Sequence, residues 1–278
     1  MKTLVVDCNF LCYQSWFAMG ELKHHDNGTG VIFGFMSQLY NLAQHFDTNR
    51  FIFCWDSKSS KRRDKHPFYK IRDKSGEDMT DAFRQFKDIR RHVLTTLGFR
   101  NNFVLGGFEG DDIIASVVIN HEPDDGDRKI MISSDGDLYQ LLEHAHMYNP
   151  RNRKTMTRKG FMEKYDIPPR LWAHVKALAG CTSDTVPGIK GIGEGYALRY
   201  LRGHLSRGKA WESIESQEGK AIYERNLGLV MLPMEGTPVF NIREDILYLN
   251  NFVEICQEYG FKSFLEDKRD WRDRFNME

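Results

Sequence analysis

The sequence predicts an α/β fold, a mostly parallel central sheet flanked by helices, followed by a helical domain. Three observations predict it. Short apolar strands, Thr3–Asp7, Phe51–Asp56, Phe103–Leu105 and Lys129–Ser133, are spread along the first half of the chain. Long segments of helical periodicity separate the early ones: Val31, Phe35, Leu39, Leu42 and Phe46 in one, Met79, Phe83, Phe86, Val93 and Leu97 in the other, closed by Gly98. After Arg151 a glycine-rich turn sits between helical residues. Strands alternating with helices need crossover connections, which make neighbouring strands parallel and cover both faces of the sheet.

With 278 residues, 41% of them hydrophobic, the chain can build one large core or two small ones. The expected division is a core over residues 1–165 and a helical domain over 166–278. The first apolar run, Leu4–Val6, is short and ends on Asp7, so it reads as a strand and not a signal peptide. No stretch reaches the roughly 18 to 20 apolar residues of a membrane span. The five cysteines (Cys8, Cys12, Cys54, Cys181, Cys256) include no CxxC pair, which points to a reducing, cytoplasmic setting without a disulfide framework or zinc site.

Between the second strand and Met79 more than twenty residues lack a core pattern. Eight of the seventeen residues from Lys58 to Lys74 are Lys or Arg, beside Phe68 and Tyr69. Bases with aromatics suit single-stranded nucleic acid, through phosphate pairing and base stacking; a solvated charge run is the plainer alternative. Formal net charge is zero, with 39 basic and 39 acidic residues, so a nucleic-acid surface requires the two signs to be segregated.

The acids are segregated at strand ends. TLVVD ends in Asp7, FIFCWD in Asp56, and KIMISSDGD in Asp135 and Asp137, while FVLGGFEGDD brings Glu109, Asp111 and Asp112 to the same edge. Like charges at close range repel by roughly 1 kcal/mol per pair in water and about 4 near a protein surface. Acids before an apolar helix start also serve as caps. Four strand ends delivering carboxylates to one rim exceed what capping needs. Unpaired acids would raise one another's pKa values and oppose folding unless cations neutralise them. Mg²⁺ or Mn²⁺, which prefer oxygen ligands, fit.

In the second half, Gly188, Gly191 and Gly193 within DTVPGIKGIGEG allow close backbone approach at a helix start, a phosphate-binding arrangement. A helix-turn-helix with glycine caps is the alternative. There is no dinucleotide fingerprint and no phosphate-binding loop with Gly-Lys-Ser/Thr. Beyond Gly208 the chain reads as helical and polar.

Taken together, LVVDCN, FCWD, YKIR, FEGDD, SSDGDLYQLL and SDTVPGIKGIG resemble the 5′ nucleases in order and approximate spacing. That family comprises flap endonucleases, bacteriophage 5′→3′ exonucleases and the nuclease domain of bacterial DNA polymerase I. The resemblance covers nearly the whole chain, most densely from Thr3 to about Leu201, and is to the free-standing phage kind. It implies a PIN-like nuclease core and a helix-hairpin-helix DNA-binding domain with its hairpin at about 180–201. A first metal would lie near Asp7, Asp56, Glu109, Asp111 and Asp112, with Asp135 close to both sites; a second would lie toward Asp137 and Asp184. Lys70 and Arg72 of YKIR would be catalytic. The basic loop, about 57–80, would be the arch or clamp that passes a 5′ single strand, with Arg62, Arg63 and Tyr69 meeting DNA. The hairpin would grip duplex phosphates and hold K⁺ on backbone carbonyls such as Val186 and Ile189.

Three departures stand out. Gly180 is followed by Cys181 where the family has Asp. YKIR has one fewer residue between its bases than usual. Gly195-Tyr196-Ala197 replaces the usual Lys-Thr-Ala. The resulting expectation is a monomeric, structure-specific DNA 5′ nuclease, both exonuclease and flap endonuclease, leaving 5′-phosphate and 3′-hydroxyl products in replication or repair. A grip on phosphates does not identify the sugar, so RNA–DNA hybrids fall within the same expectation. Cys181 is the feature that favours the rival, a catalytically impaired branched-DNA binder.

Overall fold

Residues 2–70, 78–121 and 128–278 are described by a computed structural model. The chain begins with β1 (Lys2–Asp7), α1 (Cys8–Met19), the small hairpin β2 (Lys23–His24) and β3 (Asn27–Gly28), α2 (Gly30–Phe46), β4 (Phe51–Trp55) and α3 (Lys61–Lys65). α4 (Thr80–Asp88) continues through a π-helical turn into α5 (Leu94–Leu97), then β5 (Asn102–Val104), α6 (Gly110–Asn120), β6 (Arg128–Ile132), a 3-10 turn Gly136–Leu141, β7 (His146–Asn149) and β8 (Lys154–Met156). The second half holds α7 (Arg158–Tyr165), α8 (Trp172–Ala179), the pair β9 (Gly180–Cys181) and β10 (Val186–Pro187), α9 (Glu194–Leu201), α10 (Lys209–Glu215) and α11 (Gln217–Val230). α12 (Leu249–Glu258), α13 (Lys262–Glu266) and α14 (Lys268–Phe275) close the chain.

The main sheet has the order β5-β4-β1-β6-β7-β8, parallel throughout except for β8 at the edge. Its central strands are continuous apolar runs because both faces are covered. Leu4, Val6, Phe51 and Phe53 face a layer built from α1, α2, α4 and α5; Val5, Ile52 and Met131 face α6, α7 and α8. The first two crossovers move outward from β1 to β4 and β5, and the third returns to the other side of β1 as β6. The connections therefore diverge between β1 and β6. In an open parallel sheet that divergence leaves a crevice beyond the carboxyl ends of the strands, which is where ligands bind.

The structure departs from the sequence expectation in two places. β7 and β8 are short and mixed in polarity, so the sheet extends two strands further than the apolar runs indicate, the last of them antiparallel. The last helices do not pack with the glycine-rich hairpin. Leu247, Phe252, Ile255, Phe261, Phe264, Trp271 and Phe275 join the layer over α2. Trp271 lies within 5.0 Å of the Tyr40 ring and 4.8 Å of the Phe252 ring, aromatic packing that fixes these helices to the core.

Candidate metal centre and nucleic-acid interface

Each acid of the rim is placed by an ordinary structural device. Asp7 ends β1 and caps α1, accepting from the Phe10 N–H at 3.0 Å. Its other oxygen accepts from Ser133 Oγ at 2.8 Å, just past the end of β6. Asp56 follows β4 and accepts the Gly110 N–H at 2.7 Å, at the positive end of α6. Glu109 is the N-cap of α6, and Asp111 lies in its first turn. Asp135 caps the 3-10 turn after β6, accepting from the Asp137 N–H at 2.8 Å.

Electrostatics shows which of these acids face one another. Burial first, then Asp56 and Asp135, pushes the Asp7 carboxyl up to about 7. Burial, then Asp135 and Asp7, holds Asp111 well above the carboxylate range. Asp135 keeps surface open to solvent, yet enclosure and neighbouring Asp137 still raise it. Asp184, enclosed and facing Asp137, Asp135 and Glu109, rises to about 6 despite the opposing charge of Lys70. Asp7, Asp56, Asp111 and Asp135 thus lie within electrostatic reach of one another, with Asp137 and Asp184 beside Asp135. Among the described residues, ligand atoms within 4.8 Å of one another are found at Asp137, Cys181 and Asp184.

Lys70 reaches into this rim, its Nζ 2.8 Å from Glu109 Oε2 and 3.7 Å from Asp184 Oδ1. Burial opposes its charge, but Glu109, Tyr69, Asp184 and Asp111 hold its pKa above the usual lysine value. Its backbone is left-handed, at φ 50, and its N–H donates to the Asp184 carbonyl at 2.9 Å, which pins the loop to the hairpin turn. Arg72 lies outside the described residues.

On the far side, Asp137, Cys181 and Asp184 each offer a ligand atom, all within 4.8 Å of one another. Burial, then Asp137, raises the Cys181 thiol. Lys176, which sequence reasoning missed, places Nζ 3.2 Å from Asp137 Oδ1. Burial works against its ammonium, but Asp137 and the groups around it hold the pKa up. One lysine in a helix carries no signal in sequence; only tertiary placement shows it.

Several expected roles change. Asp112 is fully buried, its carboxylate clasped by Arg62 through bonds of 2.6 and 2.7 Å and accepting the Glu109 and Met234 N–H groups. It is a structural anchor of α6, not a rim acid open to a cation. Arg62, expected to meet DNA, is 2% exposed and also donates to the Leu229 carbonyl. Tyr69 is buried too, its hydroxyl donating to Glu109 at 3.0 Å, so its ring is not offered to a base. Residues 57–70 are tied to the core at particular points, since Ser57 and Ser59 hydroxyls accept the Gly107 N–H and the Lys61 ammonium sits 4.0 Å from the Phe108 ring centroid, while Lys58, Lys61 and Lys65 stay exposed. Arg63 is exposed.

The hairpin glycines divide as well. A Cβ on Gly188 would meet the Ala179 backbone at 2.2 Å, so this glycine serves the packing of the turn and not a partner. Gly191, with φ 80, and Gly193 are exposed, and a Cβ added at either would meet nothing within 4 Å. Gly193 caps α9 without a side chain, leaving a bare helix start. Ile189 donates to the Leu178 carbonyl and accepts from Ile192, and Val186 pairs with Cys181.

Residues 2–166 match the family described as 5′-3′ exonuclease, N-terminal resolvase-like domain. DNA polymerase I of Mycobacterium tuberculosis is 28% identical over 228 residues, 78% of this chain and 24% of the polymerase. The thermostable DNA polymerase I of Thermus thermophilus is 29% identical over 217 residues, 77% of this chain and 25% of the polymerase. The chain spans about a quarter of the length of these relatives. Zinc-bound T5 5′-exonuclease superposes with a TM-score of 0.69 at 21% identity, over 84% of this chain and 90% of that one. The bacteriophage T5 flap endonuclease, in a pseudo-enzyme–product complex with DNA and metal ions, gives 0.68 at 20% identity over 97% and 98%. Such likeness supports the α/β fold with its parallel sheet and helical C-terminal part. With a family model matching residues 2–166 of its 278 residues, the chain belongs to the 5′–3′ exonuclease family.

Proposed function

We propose that this protein is a metal-dependent, structure-specific DNA 5′ nuclease acting on 5′ single-stranded flaps and ends, with RNA–DNA hybrids among its substrates. The observation that carries the reading is the convergence of Asp7, Asp56, Asp111 and Asp135 at the sheet's point of divergence, with Lys70 reaching the same rim through Glu109. Neighbouring carboxylates that raise one another's pKa are a donor set in want of positive charge, and oxygen donors alone fit a hard divalent cation such as Mg²⁺, with Mn²⁺ as substitute. Cations bound there would supply Lewis acidity to a phosphodiester and lower the pKa of an attacking water.

The chain's own residues supply the rest. Lys70 keeps its charge where a scissile phosphate gains negative charge, the preorganised stabilisation that accounts for much of catalysis. Glu109 and Asp184 orient that ammonium, and Tyr69 donates to Glu109 to fix it in turn. Exposed Gly191 and Gly193 at the start of α9 would meet duplex phosphates, with K⁺ on the Val186 and Ile189 carbonyls as part of that grip. Arg63 would attract the single strand, and a monomer suffices for all of this. Among the described residues no helix is long and apolar enough to cross a membrane.

Incubation with a 5′-flap duplex in Mg²⁺, in Mn²⁺ and in chelator tests the proposal. Cleavage in either ion and none in chelator, with 5′-phosphorylated product, is expected. Flap DNA that is bound but left intact in every ion would favour the non-catalytic binder.

A further inference from the structure

The two halves of the acidic rim differ chemically. Around Asp7 every donor is an oxygen. Around Asp137 a sulfur faces two carboxylates. The fold builds this second group from two separate segments. β9 and β10 pair with Val186 opposite Cys181, and the Asp184 N–H donates to the Cys181 carbonyl at 3.3 Å. That turn folds Asp184 back over the sulfur. Asp137 arrives from the 3-10 turn after β6, with Oδ2 3.7 Å from Cys181 Sγ. Ser183 Oγ lies 3.0 Å from the same sulfur. At 5% exposure, Cys181 presents its sulfur to this group and hardly at all to solvent.

We infer that Asp137, Cys181 and Asp184 form a mixed oxygen–sulfur site selecting a borderline, thiophilic divalent cation, of the zinc, cobalt and cadmium class, over Mg²⁺. The inference rests on the reading of the rim as a metal centre and adds which ion its second half prefers. Three ligand atoms within 4.8 Å of one another can share one ion. A hard Mg²⁺ ion gains little from sulfur, whereas a borderline ion binds thiolate and carboxylate together. On binding, the thiol gives its proton to solvent and the sulfur becomes the ligand. Lys176, 3.2 Å from Asp137, and Lys70, 3.7 Å from Asp184, compete for these carboxylates with any cation, which leaves the sulfur to decide which ion is held.

The test is a Co²⁺ titration of the full chain without DNA, followed by near-ultraviolet absorption. Expected is a thiolate-to-cobalt charge-transfer band saturating at one ion per chain and surviving a large excess of Mg²⁺. It should vanish in Cys181→Ser and need at least about tenfold more Co²⁺ in Asp184→Asn. In Cys181→Asp the band should vanish while half-maximal Mg²⁺-dependent flap cleavage shifts to lower Mg²⁺. Absence of a band in folded wild type, or a band retained in Cys181→Ser, overturns the inference. Cleavage in Mg²⁺ alone is measured in parallel. Cleavage without a cobalt band removes this inference and leaves the nuclease reading standing. A band without cleavage in any ion supports the site and removes the nuclease.

Discussion

Ser133 Oγ donates to Asp7 Oδ2 across 2.8 Å, joining the ends of two neighbouring parallel strands that are 126 positions apart. The bond sits where the crossover connections diverge, so it positions the acid at that edge of the sheet. Its energetic setting is unfavourable, because Asp7 is enclosed with acids for neighbours. That cost is what the proposed cations would offset.

The first prediction concerns pH. Asp7 has its pKa raised from 3.8 to about 7 by burial and then by Asp56. Between those values the folded state holds a proton that the unfolded chain has released. The group's stabilising contribution is therefore full below about pH 4 and is lost as pH rises to 7. Asn caps a helix as well as Asp does. In chelator, Asp7→Asn should exceed wild type in stability by on the order of 1–4 kcal/mol at pH 8 and match it near pH 4. Denaturant titrations at both pH values would show this; an equal difference at both would contradict it.

Lys70→Ala should slow single-turnover cleavage by about 10² to 10³, the scale of losing one preorganised charge donor. Duplex affinity should change far less, since the exposed hairpin glycines lie elsewhere. A variant that cleaves at the wild-type rate would remove Lys70 from the chemistry.

Arg62 and Asp112 make a different kind of pair. The guanidinium is 2% exposed and the carboxylate 0%, so removing one partner strands a buried charge. Arg62→Ala should destabilise the fold by about 3–5 kcal/mol. Urea unfolding that shifts by less than about 1 kcal/mol would mean the pair is dispensable. If Arg62 were instead a DNA contact, its loss would lower affinity and leave stability alone.

Two hairpin glycines should separate packing from binding. Gly188→Ala forces a Cβ to 2.2 Å from the Ala179 backbone and should lower the melting temperature. Gly193→Ala has open space around it, so the melting temperature should hold while duplex affinity in chelator falls. Matching behaviour of the two variants in both assays would show that the distinction is wrong.

Strand ends were legible because an acid ends or closely follows each apolar run, and an acid is not admitted to the centre of a buried sheet. Asp7, Asp56 and Asp135 could be read that way. Arg62 could not, because nothing in a run of bases tells which one turns inward; its partner lies 50 positions away. Tyr69 and Lys176 were hidden for the same reason. The packing of α12 to α14 on the core had a faint signal in Phe252, Phe264, Trp271 and Phe275, since a purely polar helical tail needs no such aromatics. The β7 and β8 edge had none, being short and half polar.

The most direct measurement of the central claim is single-turnover cleavage of a 5′-flap duplex by wild type and by Asp111→Asn, at DNA-saturating protein, across a Mg²⁺ titration. Asp111 faces Asp7, Asp56 and Asp135 together, so its loss should strike the oxygen-only group at its centre. The predicted result is cleavage by wild type that requires Mg²⁺ and falls at least about 10²-fold in Asp111→Asn, with flap DNA still bound. Wild-type cleavage that persists in chelator, or an Asp111→Asn rate equal to wild type at every Mg²⁺ concentration, would contradict the account.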